Sequence, residues 1–184
     1  MAETNSEVWI GLAGVVVGAS ITGIKDWILE AARKKAHARY VAIRVVCLFD
    51  EFVEDTVEVA YDGGTANPHD QGCYEPNVKI PSSPHFPDHW EWKSLPPELM
   101  YEILSFPNEV KAADQEISLV GEHSAGPPYY EEWFEERQFR YAKLGKKAHA
   151  ITIQLRKKYD IPKREIGNWK PEKKLERIIK EIKK

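Results

Sequence analysis

No charged side chain lies between Glu7 and Lys25, so that Val8–Ile24 (VWIGLAGVVVGASITGI) is an uncharged, mostly apolar run of 17 residues in a chain that is otherwise rich in charge. As a helix it extends about 25 Å at the usual rise per residue, the lower limit for crossing a bilayer. Trp9 and Trp27 stand at its two ends, where aromatic rings favour the membrane interface, and Lys25 has a stem long enough to snorkel. A cleaved secretion signal needs a basic start, but the first seven residues hold Glu3 and Glu7 and no Lys or Arg. A dinucleotide loop needs Gly-x-Gly-x-x-Gly behind a strand, whereas the spacing here is Gly11-xx-Gly14-xxx-Gly18 with no strand before it. A buried helix of a soluble domain loses about 1 kcal/mol for each glycine relative to alanine, and this segment has four. Lipid leaves the backbone no partner but itself, so glycine is tolerated there. The expectation is one membrane span over residues 8–24.

The flanks orient it. Arg33, Lys34, Lys35, Arg39 and Arg44 follow the run, and the preceding side offers only acids. The positive-inside rule then places the N-terminus outside and residues 25–184 in the cytoplasm. Cys47 and Cys73, the two cysteines, are too few for a disulfide framework and fit a reducing compartment. At about 100° per residue, Gly11, Gly14, Gly18 and Thr22 fall on one face. Small residues there let two helices approach closely, so the span is expected to form a homo-oligomer through this stripe.

Helical periodicity does not stop at the membrane. Ile24, Ile28, Ala31, Ala38, Val41, Val45, Leu48, Phe52, Thr56 and Val59 recur at spacings of three and four, and neither Gly nor Pro intervenes before Asp62-Gly63-Gly64. One helix is expected from about 8 to 61. Residues 62–95, with five prolines, read as irregular. A second helix begins at Pro96-Pro97 and carries Leu99, Ile103, Phe106, Val110, Ala113 and Ile117 on one face, with Pro107 expected to kink or divide it. A third follows Gly126-Pro127-Pro128, acidic at its start and basic at its end, as the helix dipole favours. Its stripe is Trp133, Arg137, Tyr141, Leu144, Ala148, Ile151 and Leu155. The predicted fold is mainly α: a transmembrane helix continuous with a long cytosolic one, in an antiparallel three-helix bundle over 25–162. A basic amphipathic tail, 163–184, completes the chain.

The helix starts "W-K-x-L-P-P-E-L…I-L-x-x-P-N" (Trp92 to Asn108) and "Y-Y-E-E-W-F-E-E-R" (Tyr129 to Arg137), together with the short N-terminal span, resemble bacterial single-span membrane proteins with a cytosolic helical domain. The resemblance implies this architecture and an inner-membrane location. It implies no activity and no site residues.

Chemistry-bearing residues are sparse. His85 and His89, with Asp88 between them, have the spacing of metal ligands on a helix, and His69, Asp70 and Cys73 are further candidates. Pro84 and Pro87 oppose a helix at that place. A membrane-tethered metal-dependent enzyme using this loop is therefore the alternative function, and a soluble helical interaction module is a third. There is no P-loop, no HExxH and no G-x-S-x-G, and no cofactor is implied. An acidic patch (Asp50, Glu51, Glu54, Asp55, Glu58) crowds the end of the first helix, and residues 46–78 lack Lys and Arg altogether. The tail, with Lys173, Lys174, Arg177 and Lys180, is its expected partner inside the molecule. The net charge of −3 draws no nucleic acid. The leading expectation is a non-enzymatic, membrane-anchored scaffold or adaptor, oligomeric through its span and bound to an unidentified protein partner in the cytoplasm.

Overall fold

The computed structural model describes residues 3–70, 72–123, 126–163 and 170–183, with side chains from Lys25 onward. The chain is mainly α-helical. Helix α1 runs Glu3–Ala60 without a break, α2 Pro97–His123, α3 Glu131–Tyr159 and α4 Pro171–Ile182. Between α1 and α2 lie a two-residue antiparallel pair, β1 (Thr65–Ala66) and β2 (Tyr74–Glu75), and a 3-10 turn at Trp92–Ser94. Pro107 sits inside α2 and does not divide it.

Helix α3 is the centre of the bundle. Against α1 it matches Arg137 to Asp62, Gly145 to Thr56, Arg156 to Asp50 and Asp160 to Arg39, so the two helices run antiparallel. Against α2 it matches Trp133 to Gly121, Tyr141 to Asp114 and Lys147 to Glu109, again antiparallel. Helices α1 and α2 therefore point the same way. This corrects the expectation that the three helices alternate in direction, and the reason lies in residues 62–96. That segment must return the chain along the whole bundle, about 33 Å if α1 is measured from Ala38 to Ala60.

The return is a packed strap. Val78 lies beside Asp62, Phe86 meets Phe49 with ring centroids 6.0 Å apart, Trp90 takes the Arg44 guanidinium over its ring, and Glu91 reaches His37 at 3.4 Å. The strap thus descends α1 from its end towards residue 37. Its prolines keep it extended and spare it backbone donors that would need partners. Phe86, Trp90 and Trp92 stack with one another and close the core at that level.

One core joins the buried faces of α1 (Val41, Val45, Phe49, Phe52), α2 (Leu99, Ile103, Phe106, Val110) and α3 (Tyr141, Ala148, Ile151, Leu155). Phe106 stands between Phe49 and Phe52, at 4.9 and 5.2 Å between centroids. Burying each such ring contributes about 1.5–3 kcal/mol. A second cluster forms where Leu175 and Ile178 of α4 meet Val57 and Ala60 of α1 and Ala142 of α3. Residues 171–182 are thus part of the bundle. They dock by the apolar face expected of an amphipathic helix, at the end of α1 that carries the acidic patch.

Among the described residues no helix is long and apolar enough to cross a membrane. Val8–Ile24, the expected span, and its Gly11, Gly14, Gly18 and Thr22 stripe lie outside the residues whose side chains are described.

Candidate functional site

Asp62-Gly63-Gly64 ends α1 with more than a turn signal. The Asp62 carboxylate is buried, and Arg137 of α3 donates to it through Nη1 at 3.1 Å. It also accepts from the backbone N–H of Gly64, Asn77 and Val78, at 3.0, 3.2 and 3.0 Å, and from the Asn77 side chain at 2.9 Å. Arg137 in turn donates to the Val78 carbonyl, and Gln138 donates to that of Asp62. Burial is the largest single influence and raises the Asp62 pKa. The hydrogen bonds from Val78, Gly64 and Asn77 together outweigh it and hold the carboxyl at about 2. Gly64 has φ +71, and a Cβ there would strike Phe134 and the Glu75 carbonyl. The hydrogen bonds of this clasp join α1, the strap and α3, which makes it a structural lock.

Asp50 of the acidic patch is answered by α3. Arg156 grips Asp50 in a two-pronged contact, Nη1–Oδ1 3.0 Å and Nη2–Oδ2 2.5 Å. Asp55 is half-buried, and burial first, then Glu51, Glu58 and Glu54, raises its pKa. Of the tail cations, Arg177 pairs with Glu181 on its own helix at 3.0 Å. Helix α4 is bound to α3 by Lys146 with Glu176 at 2.7 Å, and its Lys174 carbonyl accepts from the Tyr61 hydroxyl.

A groove of about 630 Å³ opens between the middle of α1, the second half of α3 and the start of α4. Val53, Ile153, Ile161 and Pro171 give it an apolar floor, and its charged lining is mixed with cations in excess: Lys157, Lys163, Lys170 and Lys173 with Arg156, against Asp50, Glu54 and Glu172. His149 stands in its wall. Burial lowers its pKa, against the opposing pull of Glu172 and Asp50 and with the aid of Arg156. The imidazole is thus neutral at pH 7, able to donate one hydrogen bond and accept another. The groove suits a ligand that is apolar along its length and anionic at its edge. Neither Arg156 nor His149 was expected from the sequence to be a site residue. The signal was there in the pairing of a cation at the end of α3 with an acid of α1, but the contact depends on the antiparallel register.

The loop histidines do not assemble. His69, His85 and His89 are exposed on turns or extended backbone, and among the described residues no three His, Cys, Asp or Glu side chains converge where an ion could sit. Asp88 follows Pro87 in the turn before Trp90, so the one-face spacing that a helix would give His85 and His89 is not realised. Asp70 and Cys73 belong to the small turn closed by the Cys73 N–H on the Asp70 carbonyl.

Among the described residues, the first part of α1 meets the rest of the chain where His37 reaches Glu91. Residues 25–37 are exposed all round, Trp27 to 72%, and Ala38 is the first buried residue. The bundle therefore hangs on a helical stalk that carries Lys25, Arg33, Lys34 and Lys35. No protein family, curated protein or solved structure matches the chain.

Proposed function

We propose that this chain is a membrane-anchored, non-enzymatic scaffold or adaptor. Residues 8–24 cross the membrane with the N-terminus outside, the span oligomerises, and the bundle is presented to a protein partner in the cytoplasm. The observation that carries the reading is the continuity of α1: the helix that forms the wall of the bundle continues, without a break, through a bare stalk into the uncharged run. A helix of 13 exposed residues would be marginal in water by itself. Rooted at both ends, it becomes a rod that sets the bundle about 20 Å from the bilayer. The groove beside α4 is the docking place, and its apolar floor and lysine rim suit an acidic, amphipathic segment of the partner.

Two measurements test this. After an alkaline carbonate wash the full chain should stay with the membrane pellet, and release into the supernatant would refute the anchor. Affinity purification from detergent should bring down a partner with the wild-type chain that is lost with a Lys157→Glu, Lys173→Glu variant. Equal recovery with both chains would remove the groove from the account.

A further inference from the structure

Helix α1 has two faces in the bundle, and both are apolar. One holds Ala38, Val41, Ala42, Val45 and Phe49, all buried against the other elements. The opposite one holds Leu29, Ala32, Ala36, Tyr40, Ile43 and Cys47, all exposed, with Leu29 at 45%, Tyr40 at 55% and Ile43 at 40%. At about 100° per residue these six positions fall within an arc of roughly 80° that faces directly away from the core. A helix serving only its own bundle carries polar residues there.

The sequence positions Gly11, Gly14, Gly18 and Thr22 fall on the same arc. From 11 to 47 the series advances by steps of three and four, save one of seven between Thr22 and Leu29 where Lys25 lies on the arc at the expected membrane edge, and α1 is one uninterrupted helix over that whole distance. Whatever meets the glycine face in the membrane is therefore carried along the stalk and up the back of the bundle. A second copy in parallel fits the flanks as well. Glu30 lies on one side of the arc and Lys35 on the other, five residues on, the offset at which neighbouring parallel helices exchange ion pairs. The stripe ends beyond Cys47, where Asp50, at the edge of the arc, is held by Arg156 and the half-buried Glu54 enters it. Because the cores lie on the far sides of the two α1 helices, the bundles do not obstruct the contact.

We infer that two copies of this chain pair in parallel along α1, from the span to Cys47, through Leu29, Ala32, Ala36, Tyr40 and Ile43. This rests on the proposed oligomerisation of the span and extends it by some 25 residues into the soluble part. In such a pair each stripe residue faces its own counterpart, so two Cys47 thiols come within reach of a disulfide.

The test is a cysteine scan of the full chain in membranes, with Cys73→Ser throughout. Native Cys47 is retained in one chain. In the others it is replaced by Ser and a single cysteine is placed at position 14, 29, 36, 40, 43 or, as the off-arc control, at 34. Copper phenanthroline accepts the two electrons as the two thiols lose their protons and join. Crosslinked dimer should form at 14, 29, 36, 40, 43 and 47, several-fold above Lys34→Cys, and Ile43→Lys should abolish it at 47 while leaving the far-ultraviolet helix signal unchanged. Crosslinking at 14 with none at 40, 43 and 47 would overturn the extended interface and leave the span oligomer standing. Absence of crosslinking at every position would overturn both.

Discussion

The buried carboxylate of Asp62 and the buried guanidinium of Arg137, 3.1 Å apart, hold the last turn of α1 to α3 across a sequence distance of 75 residues. Removing either partner leaves an uncompensated charge in the interior. Arg137→Met is expected to cost about 3–5 kcal/mol in denaturant unfolding, and Asp62→Asn a comparable amount. Arg137→Lys should not rescue, because one ammonium cannot serve both Asp62 and the Val78 carbonyl as the fork does. A loss below ~1 kcal/mol, the range of exposed pairs, would mean the clasp is dispensable.

The same pair sets a limit at low pH. Asp62 is depressed to about 2 from an ordinary 3.8, so its contribution is complete above about pH 4 and is lost as pH falls through 2. Acid unfolding of the wild type should steepen in that window, and the Asp62→Asn chain should lack that component. Identical acid profiles would contradict the assignment.

At Gly145 α3 packs closely against Thr56 of α1 and Leu175 of α4. A Cβ there would overlap the Thr56 hydroxyl, which is fixed by its own bond to the Val53 carbonyl at 2.8 Å, and would crowd Leu175. Gly145→Ala should destabilise by about 1–3 kcal/mol through overpacking, although alanine is the better helix former. Combining it with Thr56→Ala should recover part of the loss, and thermal unfolding of the two chains reads the difference.

Tyr141 is fully buried, and its hydroxyl donates to Asp114 at 2.6 Å. Burial first, then this bond, raises its pKa above 10. Its contribution is thus intact below about pH 10 and is lost only as pH rises through the folded value. Tyr141→Phe should cost about 1.5–3 kcal/mol at neutral pH, the range for a bond to a charged group. An unchanged denaturation midpoint would show the bond to be neutral.

His149 should titrate below its ordinary 6.5, since burial disfavours the imidazolium more than Glu172 and Asp50 favour it. Its contribution is then present above about pH 6.5 and lost as pH falls through the lowered value. Proton NMR of the imidazole reads the midpoint directly. A midpoint above 6.5 would mean that the groove acids dominate and that the groove is less desolvated than its geometry indicates.

Much of this was legible in the sequence, and particular residues show where legibility stopped. The three- and four-residue spacing from Ile24 to Val59 announced α1, and Asp62-Gly63-Gly64 its end, because periodicity and turn chemistry are local. The direction of α2 was not local. It depends on the strap packing Phe86 and Trp90 back along α1, and five prolines in a row of loop residues say only that the segment is extended. Asp62 read as one more member of an acidic run, when it is the one that is buried. The clue was Arg137, a guanidinium on an otherwise apolar stripe, which demands a buried acid somewhere. The His85–His89 spacing would count only on a helix, which Pro84 and Pro87 opposed in the sequence and which the structure does not form there. The tail was expected to dock at the acidic end of α1, and Leu175 and Ile178 pack there against Val57 and Ala60.

The central claim is that α1 carries the bundle on a membrane-crossing rod with its N-terminus outside. Labelling of single cysteines in intact cells with a membrane-impermeant maleimide tests it most directly, with Ser6→Cys in a chain lacking Cys47 and Cys73, against Cys73 alone. The account predicts that position 6 is labelled without lysis and that Cys73 is labelled only after lysis. Labelling of both, or of neither, before lysis would contradict it.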